Sequence, residues 1–306
     1  MASRLSTETT ATATTVAKDI LAADTAMGAV TLKVANLDRM TGYYTQGVGL
    51  DLISHDGDMA ILGRGTMPTL VLQYAPELKH AADSAAGLYH TAFLFSEKSD
   101  LAASVYSIAR KFPNTFTGSS DHFVSNAFYF DDPEGNGVEL YWDTGRDTWE
   151  WNNGSVKMGT VYLDPNAFLQ ENLTEDGLAT ATAEGDTTVG HVHLKVGDIQ
   201  TAKQFYVDTV GFETTIEYGT QALFVSAGGY HHHLGMNTWH SSGAGTRTPA
   251  LGLGEVSIRV ATQDELGSLG ERLTSRGVQF ALDGTELRLD DPWANKVRVV
   301  AATPAG

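Results

Sequence analysis

Residues 228–237 read GGYHHHLGMN and set His231, His232 and His233 side by side, three of the ten histidines in a 306-residue chain. Imidazole offers two kinds of chemistry near neutral pH. A neutral ring nitrogen holds divalent metals, and a pKa close to the working pH lets the ring move protons. The chain has no cysteine, which removes thiolate ligands, disulfides and cysteine nucleophiles. Any metal must then be held by His, Asp, Glu or neutral oxygen donors. In a strand, His231 and His233 would point to one face and His232 to the other, so the three would not reach one ion together.

Other kinds of chemistry are poorly represented. DPEGNG (132–137) lacks the lysine and the glycine spacing of a phosphate-binding loop, and reads as a turn between strands. No G-x-S-x-G elbow for a serine nucleophile occurs. Asn172-Leu173-Thr174 fits a glycosylation sequon that would matter only in a secreted chain. With 20 basic and 37 acidic residues the net charge is −17, which disfavours nucleic acid and anionic membranes as partners. No apolar run approaches the roughly 18 residues of a membrane span. The Thr- and Ala-rich opening lacks the apolar core of a secretion signal, so a cytoplasmic protein is expected.

The elements that position these histidines come from a repeat. LKVANLDRMTGYYTQGVGL, from Leu32, aligns without a gap on LKVGDIQTAKQFYVDTVGF, from Leu194, at a constant offset of 162. Each copy reads as a strand, a polar turn, an amphipathic helix and a glycine exit. Two looser copies follow: GLYHTAFLFS (87–96) with GLGEVSIRVA (252–261), and DDPEGNGVELYW (131–142) with DDPWANKVRVVA (290–301). The fold class is therefore α+β, four βαβββ modules forming two half-barrel domains. The expected layout is an N-terminal tail at 1–24, modules 1 and 2 in a domain at 25–144, a linker at 145–184, and modules 3 and 4 in a domain at 185–304. Within the linker, Asp164 or Pro165 would start a short helix.

These modules resemble those of the vicinal oxygen chelate superfamily, which includes glyoxalase I, bleomycin-resistance proteins and type I extradiol dioxygenases. GLYH, DHFVSNAFYFDDPEGNGVELY, RDTW and SAGGYHHHLGMN are similar to motifs of its bacterial two-domain catechol 2,3-dioxygenase subgroup. The resemblance covers roughly residues 25–300. It implies a metal held by first- and last-strand residues of two facing modules, with two histidines and one carboxylate on one face of the ion. The first-strand positions are Ala29, His90, His191 and Glu255, and the last-strand ones include Glu139 and Arg298. Modules 3 and 4 would set Arg298 against a dication, and modules 1 and 2 would offer Ala29 as a ligand. Modules 2 and 3 instead supply His90, Glu139 and His191, with His193 as a substitute ligand. Taken singly, Glu139 also reads as a solvent-facing strand residue, and each histidine as a hydrogen-bonded core residue.

The resemblance further implies His232 as the proton-transfer residue, with His231 and His233 facing substrate if the register slips by one. Tyr129, ten residues before Glu139, and His122 would orient the substrate. The implied function is extradiol ring cleavage of a small catechol-type aromatic by O2, with Fe(II), or Mn(II), as cofactor. The alternatives are a glyoxalase-type isomerase or lyase, for which His233 would be a fourth ligand, and a non-catalytic binding protein of the resistance type. Many strand edges make a homo-oligomer possible.

Overall fold

The computed structural model describes residues 20–180 and 185–302, so most of the expected tail (1–19) and a short piece of the linker lie outside the described residues. All four βαβββ modules are present. Module 1 runs from the strand Ala26–Val34 to Met67–Tyr74, and module 2 from Gly87–Phe95 to Gly137–Asp143. Module 3 runs from Thr187–Lys195 to Leu234–Asn237, and module 4 from Gly252–Val260 to Lys296–Ala301.

The modules are joined across the chain's halves. Strands Ala26–Val34 and Gly252–Val260 pair antiparallel and fuse modules 1 and 4 into an eight-stranded sheet. Strands Gly87–Phe95 and Thr187–Lys195 do the same for modules 2 and 3, giving nine strands. Sequence neighbours are tied through their helices instead. Tyr44, on the module 1 helix, donates to Asp132 of module 2 at 2.8 Å, and Tyr206 donates to Asp291 of module 4 at 3.0 Å. The 162-residue offset thus relates Tyr44 to Tyr206 as equivalent buried latches between consecutive modules. It also relates Asn36 to Asp198, both side-chain caps at a helix start. Gly49 and Gly211, at φ 90° and 99°, end those helices in the left-handed region that an L side chain avoids.

The core packs between the sheets and helices, with Tyr43, Tyr44, Phe93, Phe128, Tyr206 and Phe212 fully enclosed. In the module 1–4 cup, the place of a metal cluster is taken by charge pairing. Arg298 contacts Glu255 at 3.1 Å and Glu286 at 3.2 Å, and Arg288 also pairs with Glu286. The linker contains the helix Pro165–Asn172, started by Asp164, whose carboxylate accepts from the Asn166 and Ala167 backbones. No helix among the described residues is long and apolar enough to cross a membrane.

Candidate metal centre and active-site cavity

Strand register in the nine-stranded sheet explains how distant residues converge. Tyr129 stands opposite Glu139, Glu139 opposite Ala92, and Ala92 opposite His191, forming one row across four adjacent strands. His90 lies two residues from Ala92 on the same strand face, opposite His193. Ala92 is the small member of this row. Its methyl group leaves space above it in which Glu139 and His191 meet from either side.

His90, Glu139 and His191 form the one cluster of potential metal ligands among the described residues, their ligand atoms all within 4.8 Å of one another. Glu139 Oε2 stands 2.9 Å from His90 Nε2 and 3.1 Å from His191 Nε2. Adjacent ligands at about 2.1 Å from an ion and about 90° apart are themselves about 3 Å apart, so this spacing fits one face of a metal site. All three residues are buried, and His90 Nε2, though close to Glu139, makes no hydrogen bond of acceptable geometry. A buried ring nitrogen without a well-formed hydrogen bond is costly unless it serves as a ligand. Burial opposes charge on Glu139, but His191 and His90 outweigh it and hold the carboxyl well below its usual range. Burial also lowers His191, to about 4, against the opposing pull of the Glu139 carboxylate. The donor set is oxygen and imidazole, which suits Fe(II), Mn(II), Zn(II) or Ni(II).

A cavity of about 630 Å³ opens onto this cluster. That volume accommodates a substituted aromatic ring. Tyr89, Phe224, Trp239, Ile216 and Met158 supply apolar walls, while Tyr129, His122, His193 and His232 add polar groups. His122 sits in the turn between strands Phe116–Asp121 and Ser125–Asp131, and its Nδ1 donates to the Gly159 carbonyl at 2.6 Å. Its Nε2 therefore accepts from the Tyr129 hydroxyl at 2.7 Å. Burial and the nearby Glu139 charge push the Tyr129 phenol well up, so it stays a donor. His193 Nε2 accepts from the Asn237 amide at 3.1 Å, and its ring stands 5.0 Å from that of His90.

The three adjacent histidines depart from the sequence expectation. They do not lie in a strand. Gly228 and Gly229 take φ of 62° and 68°, breaking the chain after Ala222–Ser226, and the next strand begins only at Leu234. Alternation of faces does not apply, and each ring finds its own environment. His232 reaches the cavity, with its ring 4.1 Å from that of His191. His231 faces Asp143 at 2.9 Å. His233 turns away, its Nδ1 accepting from the Ala227 N–H at 3.2 Å beside the Ser226 hydroxyl. His231 and His233, expected against substrate, are thus not among the cavity-lining residues. At Gly228 an added Cβ would lie 2.0 Å from the Ala23 carbonyl, so the segment leading into module 1 braces this loop.

Two features escaped the sequence reading. The linker is part of the site, since Met158, Gly159 and Thr160 form a cavity wall. Gly190 is the other. A Cβ there would come within 1.7 Å of the Tyr141 hydroxyl, which is bonded to Tyr230 at 2.7 Å. A glycine directly before a candidate ligand is the one available signal. Gly190→Ala should displace Tyr141 or His191, costing about 1–3 kcal/mol of stability in urea melts and weakening metal retention.

Burial also makes the histidines a pH-sensitive load on folding. His191 falls from 6.5 to about 4 and His233 to about 3, both mainly through burial. Below 6.5 the unfolded chain binds protons that the folded chain refuses. Stability of the metal-free protein should therefore fall as pH drops from about 6.5 towards 4, a shift readable as a declining urea midpoint.

Four βαβββ modules around a cup with a two-histidine, one-carboxylate cluster match the Glyoxalase/Bleomycin resistance protein/Dioxygenase superfamily, whose family model aligns with residues 188–286, and the chain belongs to that superfamily. Among its relatives, catechol-2,3-dioxygenase of Bacillus subtilis (strain 168) is 34% identical over 275 residues, 88% of this chain and 94% of that protein. Solved structures of similar fold include a Bacillus subtilis protein described as a dioxygenase, at TM-score 0.64 and 12% identity over 94% of this chain and 87% of that one. Another is glyoxalase I from Zea mays, at TM-score 0.51 and 16% identity over 90% of this chain and 92% of that one.

Proposed function

We propose that the protein is a metal-dependent extradiol dioxygenase that opens a catechol-type ring with O2. The observation that carries the reading is the buried His90–Glu139–His191 face at the floor of a ring-sized cavity, together with 34% identity to a catechol-2,3-dioxygenase over most of both chains. Three protein ligands on one side leave the cavity side for small molecules. His90, Glu139 and His191 would hold Fe(II), which when bound would supply Lewis-acid and one-electron redox chemistry towards a catechol and O2.

The chain's own residues do the rest. Tyr89, Trp239 and Phe224 enclose an aromatic ring and exclude water. His232 accepts a proton from the catechol and returns it during ring opening. Burial keeps its pKa well below the usual histidine value, so the resting ring is a neutral base. The Tyr129–His122 pair fixes the Tyr129 oxygen beside Glu139 as an acceptor, its own proton going to His122, and so suits it to orienting a substrate hydroxyl. A glyoxalase-type centre would need a fourth protein ligand, and His233 is engaged with Ser226 and Ala227 rather than the cavity. Metal exchange separates these readings: activity is expected with Fe(II), or with Mn(II), and lost with Zn(II). Retention of full turnover with Zn(II) or Ni(II), in the absence of O2, would overturn the dioxygenase reading.

A further inference from the structure

We propose that Asp143 and His231 are positioning residues, a buried hydrogen-bond chain that fixes His232 as its Nδ1–H tautomer and presents a bare Nε2 to the cavity. The inference rests on the reading of His232 as the proton-transfer residue and extends it to two residues that do not line the cavity.

The assignment follows from counting donors. Asp143 is an acceptor, and both its oxygens are used: Oδ2 accepts from the Tyr230 hydroxyl at 2.8 Å, and Oδ1 lies 2.9 Å from His231 Nε2. Tyr230 can donate to Asp143 because it in turn accepts from Tyr141, 2.7 Å away. His231 Nε2 therefore carries the proton of that bond. Taken as a neutral imidazole with its one N–H on Nε2, His231 has an accepting Nδ1. The atom facing it at 2.7 Å is His232 Nδ1, which must be the donor. His232 Nε2 is then left with its lone pair free, the form a general base requires.

The chain is built to hold still. His231 is fully buried, with Tyr230 and Trp149 rings at 4.1 and 5.2 Å from its own. Its backbone carbonyl accepts from Thr215 at 2.7 Å. Arg146 covers the Tyr230 ring from outside at 5.1 Å. Module 2 supplies Asp143 and Tyr141, the linker supplies Trp149, and module 3 supplies the histidines. Such an arrangement matches the role of the aspartate in a serine-protease triad, where the Asp→Asn exchange preserves geometry yet costs about 10⁴-fold in kcat through the wrong tautomer.

The test uses the full chain, metal-free and labelled with 15N-histidine, with ring nitrogens read by long-range 1H–15N correlation. His232 is expected as the Nδ1–H tautomer. In Asp143→Asn, the new amide donates to His231 Nε2, so His231 and His232 should both reverse, leaving His232 with Nε2–H. In the iron-loaded enzyme the same variant should lose about 10²–10⁴-fold in kcat with KM and iron content retained. Tyr230→Phe, which removes the second bond to Asp143 and the one from Tyr141 but leaves the Asp143–His231 contact, should leave both tautomers unchanged. An Nε2–H tautomer of His232 in the wild-type protein, or no reversal in folded Asp143→Asn, would overturn the proposal. The wild-type spectrum decides alone should the variant not fold. It also does so independently of whether any catechol is cleaved, which is the separate test of the proposed function.

Discussion

Glu139→Gln is expected to abolish ring cleavage and to release the metal, while leaving the fold intact. Removing a residue that merely orients a ligand weakens metal binding roughly 10- to 100-fold, and loss of a direct ligand should exceed that. The substitution keeps the shape of the side chain but replaces the one anionic donor in the cluster. His90 and His191 would then face a neutral amide, unable to offset a dication in a buried site. His191 and His90 together favour the charged carboxylate over the cost of burying it, so a modest loss of stability is expected in the metal-free protein, and both rings can still hydrogen-bond to the amide. Metal content by mass spectrometry of the purified variant, alongside a urea melt of both metal-free proteins, separates the two effects. Wild-type metal stoichiometry in Glu139→Gln would remove Glu139 from the ligand set. His90→Ala should behave alike, for its Nε2 has no other partner.

The second large effect is expected at His232. His232→Asn should retain the metal and bind the aromatic substrate, yet lose about 10²–10⁴-fold in kcat, the usual contribution of a positioned proton-transfer group. Nothing else in the cavity replaces it. His193 already accepts from Asn237, and His122 accepts from Tyr129. An equal loss in kcat and in metal content would show that His232 holds the metal centre through its contact with His191 instead. Raising substrate concentration should not rescue the variant, because the missing interaction is with a moving proton and not with the ring.

Much of this site was legible in the sequence because the repeat set out the four modules and the family resemblance placed a ligand position on the first and last strand of each. Once Leu32 and Leu194 are aligned, His90, His191 and Glu139 occupy matching strand positions, and the module pairing needed to unite them is the one the two sheets adopt. The unpaired cup also answers to the sequence, for Arg298 meets Glu255 there. The residues between 228 and 237 were harder. Periodicity extends a strand through YHHH, whereas Gly228 and Gly229 end it by taking positive φ, a choice fixed by contact with Ala23 far away in sequence. Which histidine faces the cavity depends on Asp143, Ser226 and Ala227, none of which a local pattern identifies. Ala92 and Gly190 act by what they lack, and small residues leave little periodic signal. The wall formed by 158–160 belongs to a segment whose polar composition reads as a connector.

The central claim is that this cup holds a redox-active metal for ring opening by O2. The most direct measurement is anaerobic loading of the full chain with Fe(II), followed by a panel of catechols in an oxygen electrode. About one metal per chain, one O2 consumed per catechol and a yellow ring-cleavage product are expected, all lost in Glu139→Gln. Iron-loaded protein that binds catechols without consuming oxygen would contradict the account.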